Sequence, residues 1–421
     1  MDVDEHLRLL NRWWIDGSVK SELAKEYRRI CFTKIFDAFQ KYRQAVILTG
    51  LRRVGKSTLM YQIIDELIRR GVKPANIMYF TMDLLPLSDE GLSLTDVLNS
   101  YQKITGTSWK NDRVYLFIDE VQKLRNWGNA VKIIYDAFPN LRFMISGSAS
   151  LNLERTAMDA LAGRHFLHDV PVLSPVEYYS IKHGINVENP RMLEGEIIAE
   201  IEPYIRKPFP ELVGVDDFAR ISEYIRESII SKIIGMDLIS EFGKVNLPLL
   251  HSLLEIFFSE PGMLLNVDSL SKSLGRRKQD VELHIYMLEY SKLIRIIKNY
   301  RPSAVSESRK MRKVYPYDIS LALSYYPSLE RGKVIESLAL SRLEIRRYWR
   351  EGRFEVDGLL ENGTPVEVKS SQTVREEHLS GLERFLEKYG RSDGLLVYSG
   401  NEFKSGKVRG VNVNKMLLYG I

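Results

Sequence analysis

The residues best suited to chemistry lie in a glycine-bounded loop, 50–58, between an apolar run and an amphipathic segment. The loop satisfies the pattern G-x-x-x-x-G-K-[ST]. Such glycines let backbone N–H groups close around phosphate oxygens, while the lysine neutralises the β- and γ-phosphates and the serine hydroxyl can ligate Mg²⁺. The sequence therefore predicts a nucleotide site, with ATP and Mg²⁺ as the cofactors. The predicted contacts are Gly50, Leu51, Arg52, Arg53, Val54, Gly55, Lys56, Ser57 and Thr58, with Lys56 also catalytic.

A buried apolar run, 114–118, leads into two carboxylates that can complete this site. Asp119 is the predicted metal ligand together with Ser57, and Glu120 is the predicted general base or water-orienting group. A later apolar run ends in Ile-Ser-Gly-Ser at 145–148. Ser146 or Ser148 could contact the γ-phosphate or water, and a simple turn after a strand is the alternative for either serine.

Three arginines could bring positive charge to the γ-phosphate. Arg52 and Arg53 lie inside the loop, and Arg164 follows the predicted serine-bearing strand. A guanidinium near the γ-phosphate stabilises the charge of the transition state, either within one chain or across a subunit interface. Arg164 is therefore a catalytic candidate, and an ordinary surface arginine is the alternative.

A second reactive group lies near the C-terminus, on predicted strands 354–360 and 365–371 that an Asn-Gly turn joins. Strand alternation can place Asp357, Glu367 and Lys369 on one face. Two carboxylates can hold Mg²⁺ and a lysine can orient water or stabilise charge on phosphorus, as a metal-dependent phosphodiesterase requires. A solvated face with cross-strand ion pairs is the alternative.

The elements that position the first group alternate between strands and helices, as in an α/β domain with a parallel sheet. The predicted strands are 45–49, 77–82, 115–119 and 142–146, with helices near 58–70, 93–104 and 128–138. Helical patterns also mark a lead-in segment, 1–44, in which Trp13 and Trp14 belong to an apolar face. A proline-interrupted helical segment follows at 171–245.

Residues 246–330 have a helix-turn-helix pattern: helices at 249–259, 267–274 and 278–290, then a strand pair at 293–300 and 313–317. Between 266 and 313 there are twelve Lys and Arg against five Asp and Glu, a local net charge of +7. These cations could contact phosphates, so 266–313 is the predicted DNA-binding segment. Internal packing and a solvated basic surface are the alternatives. The cations at the third helix and in the predicted wing loop are Arg276, Arg277, Lys278, Arg309, Lys310, Arg312 and Lys313.

Composition is that of an ordinary globular protein of two or three domains, with 421 residues and 44% hydrophobic residues. Cys31 is the single cysteine, so an intramolecular disulfide and a cysteine-based metal site are excluded. No apolar run has the length of a membrane span, and the N-terminus lacks the features of a signal peptide. We therefore expect a cytoplasmic protein without a membrane partner.

Several segments together resemble the prokaryotic, mainly archaeal, AAA-type ATPases of the STAND-related group: 49–58, 117–122, 126–127, 145–148, 161–164 and 173–178. The resemblance implies a P-loop core at 45–170, a helical lid at 171–245, a winged helix at 246–330 and a restriction-endonuclease-like domain at 331–421. The C-terminal motif also resembles the restriction-endonuclease-like superfamily. In that fold Glu336, in a predicted helix at 333–347, matches a further acidic metal ligand beside Asp357 and Glu367.

The predicted function is Mg²⁺-dependent ATP hydrolysis that couples nucleotide state to DNA binding, with DNA cleavage left open. The alternative is a nucleotide-switched protein-interaction scaffold whose nuclease-like domain is inactive. The sequence also leaves homo-oligomerisation open.

Overall fold

The computed structural model describes residues 2–82, 93–124, 126–147, 159–303, 307 and 311–421. Three residues of the sequence predictions, Ser148, Arg309 and Lys310, lie outside these described residues. The chain divides into two compact units, Met1–Val172 and Leu173–Ile421. In the described part of the chain, no helix is both long and apolar enough to cross a lipid bilayer.

The first unit is built on a five-stranded parallel sheet with the strand order β2-β3-β4-β1-β5. All residues of the first three strands are buried, as expected when helices cover both faces of a parallel sheet. The predicted α/β class with a parallel sheet is therefore confirmed. The strands are β1 Ala45–Thr49, β2 Ile77–Thr81, β3 Val114–Asp119, β4 Leu141–Ser146 and β5 His165–Asp169.

The fifth strand is absent from the sequence prediction. Its sequence, HFLHD, lacks a continuous apolar run, and its residues are only partly buried because it forms the edge of the sheet next to β1. Parallel pairing extends from Ala45↔His165 to Thr49↔Asp169. The added strand places β1 inside the sheet, between β4 and β5.

Helices of the first unit cover this sheet and begin at recognisable caps. Ser93 and Asp96 form a reciprocal capping box at the start of one of them. The indole N–H groups of Trp13 and Trp14 both donate to the Ile77 carbonyl, at 3.2 and 2.7 Å, which joins the N-terminal segment to β2. The α-helices are Val3–Leu10, Trp13–Asp16, Phe32–Lys41, Lys56–Arg69, Leu94–Thr105 and Trp127–Ala137, with short 3-10 turns at Pro74–Asn76 and Val121–Lys123.

The second unit contains a mixed nine-stranded sheet with the order β13-β14-β12-β11-β10-β9-β7-β8-β6. A parallel pairing of Lys298 with Arg347 joins β7 to β9, so the sheet is continuous across the predicted domain boundary at 330. The strands are β6 Met263–Leu265, β7 Ile294–Asn299, β8 Arg312–Pro316, β9 Arg347–Glu351, β10 Phe354–Leu359, β11 Pro365–Val368, β12 Gly394–Tyr398, β13 Phe403–Ser405 and β14 Val408–Asn412.

The helix predicted at 333–347 is five residues too long. It ends at Arg342, and Glu344 then adopts a positive φ of 52°, which an α-helix does not allow. Tyr348 and Trp349 are fully buried in β9, so their packing into the sheet overrides the helical pattern of the residues before them. Arg347 therefore lies on a strand.

Helices of the second unit include the segments predicted between 246 and 330, in the predicted order. Two π-helical stretches, Ile225–Ile230 and Ile233–Asp237, interrupt the helical region before them. The α-helices are Pro175–His183, Glu194–Ala199, Ile201–Arg206, Phe218–Tyr224, Leu238–Phe242, Leu247–Ser259, Val267–Ser273, Lys278–Tyr290, Ile319–Leu323, Arg331–Arg342, Glu376–Tyr389 and Val413–Tyr419, with 3-10 turns at Pro190–Leu193 and Pro210–Leu212.

Candidate nucleotide site and carboxylate cluster

The glycine-bounded loop leaves β1 at a position that only glycine fits. Gly50 has a φ of 140°, and a Cβ built there would lie 2.4 Å from the Val170 carbonyl oxygen. Gly55, with a φ of 95°, then starts the helix Lys56–Arg69. The loop side chains Leu51 and Val54 are buried, at 2% and 1% exposure. The apolar side chains of the loop thus pack into the first unit.

The Lys56 side chain lies folded over the loop. Its Nζ donates to the carbonyl oxygens of Gly50 and Leu51, both at 2.9 Å. The residue is buried and belongs to the first turn of the helix, together with Ser57 and Thr58. An ammonium group at this helix N-terminus adds positive charge where phosphate binding is already favoured by the helix dipole.

Asp119 accepts hydrogen bonds from three hydroxyl groups. The Ser57 hydroxyl donates to Asp119 Oδ2 at 2.5 Å, and the Tyr79 hydroxyl donates to the same oxygen at 2.7 Å. The Ser146 hydroxyl donates to Oδ1. Because β3 and β4 are neighbours and run parallel, their last residues meet at the same edge of the sheet as the loop after β1. The sequence prediction missed Tyr79, which lies inside an ordinary apolar run on β2.

Glu120 adopts a left-handed backbone conformation, with a φ of 53° and a ψ of 42°. Such a conformation is strained for a non-glycine residue and is common at functional sites. The Gln122 amide donates to Glu120 Oε2 at 2.5 Å. Burial raises the pKa of Glu120, although the positive charges of Lys56 and Arg52 act in the opposite direction. A carboxylate with a raised pKa is suited to accepting a proton from water.

The arginines of the sequence prediction separate into two groups. Arg52 is half-buried within electrostatic reach of Glu120, while Arg53 is exposed with a φ of 67°. Arg164 lies elsewhere: its carbonyl accepts from the Ala45 amide at 2.8 Å, before β1 begins.

The loop follows the other end of β1, so Arg164 lies at the opposite edge of the sheet from its own chain's Lys56. The Arg164 guanidinium pairs instead with Asp136 at 2.7 Å. The predicted catalytic role of Arg164 within one chain is thus not supported by its position, and a role across a subunit interface stays a prediction.

The structure brings the C-terminal motif residues together on β10, on β11 and directly after β11. The pairing Gly358↔Val366, continued by one residue, sets Asp357 opposite Glu367. Lys369 Nζ lies 2.5 Å from Glu367 Oε1 and 3.8 Å from Asp357 Oδ2. Asp357 Oδ2 also accepts the Val368 amide at 2.8 Å. Asp357, Glu367 and Lys369 therefore form a single cluster, in which Asp357 is also held by a backbone amide.

Two residues of β8 also belong to this cluster, and the sequence analysis predicts neither of them there. Lys313 Nζ pairs with Glu355 and lies 3.9 Å from Glu336 Oε1 and 4.0 Å from Asp357 Oδ1. The Tyr315 hydroxyl donates to Glu336 Oε1 at 2.5 Å. Hereafter "the carboxylate cluster" means Glu336, Glu355, Asp357 and Glu367 with their lysine and tyrosine partners Lys313, Lys369 and Tyr315.

Crowding of carboxylates changes their proton affinity. Burial raises the pKa of Glu336 to about 7 and that of Glu367 to about 8, and the nearby Asp357 charge adds to both shifts. Among the residues that the structure describes, no group of three or more His, Cys, Asp or Glu could hold a metal ion. Lys313 lies among the carboxylates of the predicted metal site, Glu336, Asp357 and Glu367, and metal binding there stays a prediction.

The basic segment 266–313 divides into exposed and buried cations. Lys272 and Arg276 are exposed, as are Arg277, which pairs with Asp280 at 3.0 Å, and Lys278, which pairs with Asp268 at 3.0 Å. Lys313 is buried among carboxylates. The exposed charge is thus concentrated at the start of the helix Lys278–Tyr290 and not on β8.

Comparison with known families divides the chain into three matched segments. Residues 42–179 match the model described as an AAA domain. Residues 204–328 and 332–416 match two domains of unknown function, DUF8612 and DUF4143.

Two uncharacterized proteins of Methanocaldococcus jannaschii are similar over most of the chain. One is 26% identical over 77% of this chain and 72% of its own length. The other is 24% identical over 80% of this chain and 78% of its own length. A solved Saccharomyces cerevisiae Hsp104–ADP complex has a TM-score of 0.30 and 16% identity, covering 69% of this chain and 40% of that chain. That score is too low to support an argument about function.

The AAA match covers the loop, both carboxylates at the end of β3 and the five-stranded parallel sheet. The segment 42–179 is therefore similar to P-loop domains of the AAA type.

Proposed function

We propose that the protein binds ATP with Mg²⁺ and hydrolyses it at the carboxyl edge of the first sheet. The observation that carries this proposal is the meeting of Ser57, Asp119 and Glu120 beside the glycine loop, with Ser57 bonded to Asp119 at 2.5 Å. In P-loop enzymes these residue types hold Mg²⁺ and orient the attacking water.

The residues present fit a magnesium–nucleotide complex. A hydroxyl and a carboxylate offer the hard oxygen ligands that Mg²⁺ prefers, and phosphates and water supply the rest of its coordination. The glycine loop leads into the N-terminus of the helix Lys56–Arg69, where main-chain N–H groups favour phosphate oxygens, and Lys56 adds a positive charge. Bound Mg²⁺ would neutralise charge on the phosphates, while Glu120 would orient the water and take its proton.

Steady-state ATP hydrolysis tests the proposal. We expect Lys56→Ala and Glu120→Gln each to lower kcat by about a hundredfold or more, because one removes phosphate charge and the other removes the base. Lys110→Ala is the matched control, since Lys110 is an exposed lysine of the same unit that lies over the Trp109 ring. Wild-type turnover in the Glu120→Gln variant would rule out the proposed role of that residue.

We further propose that nucleotide state is coupled to DNA binding through the segment 266–313. Support comes from the exposed cations at 272–278, next to a helix-turn-helix arrangement of Leu247–Ser259, Val267–Ser273 and Lys278–Tyr290. Phosphate contacts by lysine and arginine supply most non-specific DNA affinity. The strand pair β7 and β8 that follows the helices suits the wing of a winged helix.

DNA affinity measured against salt concentration tests this second proposal. The combined Arg276→Ala, Arg277→Ala and Lys278→Ala protein should bind duplex DNA more weakly, with a shallower salt slope by roughly two to three units. A matched control removes three exposed cations from β13, β14 and the turn between them: Lys404→Ala, Lys407→Ala and Arg409→Ala. Equal losses in both proteins would indicate a general charge effect and would reject the segment.

Stimulation of ATP turnover by DNA separates this function from the alternative, a nucleotide-switched protein-interaction scaffold. An enzyme that acts on DNA should turn over ATP faster when DNA is present, and a scaffold that binds protein should not.

Cleavage of DNA is not part of the proposal, because Lys313 lies among the carboxylates that would have to bind the metal. Homo-oligomerisation, which is common among AAA-type proteins, is measured in the same preparations by light scattering with and without ATP.

A further inference from the structure

The carboxylate cluster has its own positive charge at its centre. Lys313 is 7% exposed, and its ammonium group lies within 4.0 Å of three different carboxylates, those of Glu336, Glu355 and Asp357. Those carboxylates come from the helix Arg331–Arg342 and from β10, whereas the lysine comes from β8. Three separate elements thus converge on one ammonium group.

We propose that Lys313 is the resident cation of the carboxylate cluster and that it keeps divalent metal ions out. The proposal concerns the second unit and does not depend on ATP hydrolysis. On this proposal, Asp357, Glu367 and Lys369 belong to a closed ionic cluster and not to a metal-dependent site.

Strand geometry explains how the lysine reaches this position. Side chains two residues apart on a strand point to the same face, so Lys313 and Tyr315 both face the cluster from β8. Tyr315 is 1% exposed and donates to Glu336, which fixes one carboxylate beside the ammonium group. Glycine at 262 leaves space for the Tyr315 ring, since a Cβ built there would lie 3.1 Å from the tyrosine hydroxyl oxygen.

Charge balance supports the same conclusion. Four carboxylates face two lysines, Lys313 and Lys369, and Arg350 pairs with Glu355 at 3.4 Å. The cluster is therefore close to neutral without any added ion. A buried charge requires compensation, and here the chain itself provides it.

A divalent ion would have to displace Lys313. Mg²⁺ and Mn²⁺ bind carboxylate oxygens at roughly 2.0–2.2 Å, whereas the ammonium group is held at the distances of ion pairs and hydrogen bonds. Both cations would compete for oxygens of Glu336 and Asp357. Entry of the metal would leave the buried lysine with Glu355 alone, which is unfavourable.

Mn²⁺ binding to the full-length, nucleotide-free protein tests the proposal, measured by the loss of the free-ion electron paramagnetic resonance signal. All proteins carry Asp119→Asn to weaken any binding in the first unit. We expect no Mn²⁺ binding by this parent at the cluster. We expect the added Lys313→Met substitution to give binding of one Mn²⁺ at least tenfold more tightly than the parent does. A further Asp357→Asn substitution in the same protein should abolish that gain in affinity.

Lys333→Met is the matched control. Lys333 lies on the same helix as Glu336, is about one-third exposed and pairs with Glu260 at 3.8 Å, so its loss removes equal charge outside the cluster. It should bind no more Mn²⁺ than the parent. An equal gain in both variants would indicate a general charge effect and overturn the proposal.

The parent protein also tests the proposal without any change at Lys313. One bound Mn²⁺ that Asp357→Asn removes would show that the lysine does not keep metal out, and would overturn it. If Lys313→Met is unfolded without metal, Mn²⁺ should restore its thermal unfolding transition, because the ion would replace the missing charge. A folded Lys313→Met that gains no Mn²⁺, or an unfolded one that Mn²⁺ does not restore, would contradict the proposal.

Discussion

The two acidic sites of the molecule satisfy their carboxylates in different ways. In the first unit, Asp119 is surrounded by hydroxyl donors, those of Ser57, Tyr79 and Ser146. In the second unit, Asp357 lies between the ammonium groups of Lys313 and Lys369, at 4.0 and 3.8 Å. Hydroxyl groups hold a carboxylate in place without neutralising it, whereas ammonium groups neutralise it.

This difference determines where a metal ion can bind. A carboxylate that keeps its negative charge still attracts a cation from solution, and Asp119 lies where Mg²⁺ and the phosphates of ATP are proposed to bind. A carboxylate that is already paired with a lysine within the protein has a much lower affinity for a metal ion. Acidic motifs of similar appearance in sequence can therefore bind an external ion in one case and an internal lysine in the other.

Replacing the aspartate of each site should have very different effects on ATP turnover. We expect Asp119→Asn to lower ATP turnover by about a hundredfold or more, because the metal loses a charged ligand. Asp357→Asn should leave turnover within about twofold, since it changes an ionic cluster in the other unit. Turnover measured over a range of Mg²⁺ concentrations checks both. A large loss in Asp357→Asn would show that the two sites act together.

The dependence of local stability on pH should also distinguish the carboxylate cluster from the site around Asp119. The pKa of Glu367 is raised to about 8, so protonation favours the folded state. The stabilisation is fully present below the ordinary glutamate pKa and is lost as the pH rises through about 8. Wild type should therefore lose stability relative to Glu367→Gln between pH 5 and pH 8, by on the order of a few kcal/mol.

Hydrogen exchange of peptides covering β10 and β11 measures this change, with both proteins compared at the same pH so that intrinsic exchange rates cancel. Peptides from β1 and β3 in the first unit are the internal control. Parallel curves for wild type and Glu367→Gln would contradict the raised pKa of the glutamate.

The fold around the predicted nucleotide site follows from the sequence because that part of the fold is local. Its loop and the following helix occupy one continuous segment, and each glycine position follows from the backbone conformation it needs. The two carboxylates end a buried strand, so their place at the sheet edge follows from the parallel fold. The strand predictions for β1 to β4 succeed for the same reason, since each is a short apolar run with clear ends.

Contacts made across a sheet are much harder to predict. Tyr79 reaches Asp119 only because β2 and β3 are neighbours, with Tyr79 aligned to Phe117. The sequence predicts Lys313 to be a DNA-contacting cation because it lies in a basic stretch, whereas strand pairing buries it among carboxylates. A sequence pattern gives the face of a strand on which a residue lies but not the strand that lies next to it.

A smaller effect should follow from the hydroxyl that the sequence prediction missed. Tyr79→Phe removes one of the three hydroxyl donors to Asp119 without changing its charge, so we expect roughly a threefold to tenfold loss of turnover. The apparent affinity for Mg²⁺ should weaken along with it, because the carboxylate is less firmly oriented. Tyr101→Phe is the control: it removes another hydroxyl of the same unit, which donates to the Ala75 carbonyl and not to Asp119. Equal losses in both variants would indicate disturbed packing and not a lost contact to Asp119.

The smallest effect should come from Arg164→Ala. Arg164 pairs with Asp136 at the sheet edge opposite the loop, so a protein in dilute solution should keep its turnover within about twofold. Turnover per protein molecule, measured over a range of protein concentrations, checks this. A loss that develops only at concentrations where the wild type associates and becomes more active would mean that the guanidinium serves the site of a neighbouring copy. A large loss at every concentration would contradict the assignment of Arg164 to the opposite edge, because a side chain there cannot reach the phosphates bound by its own chain.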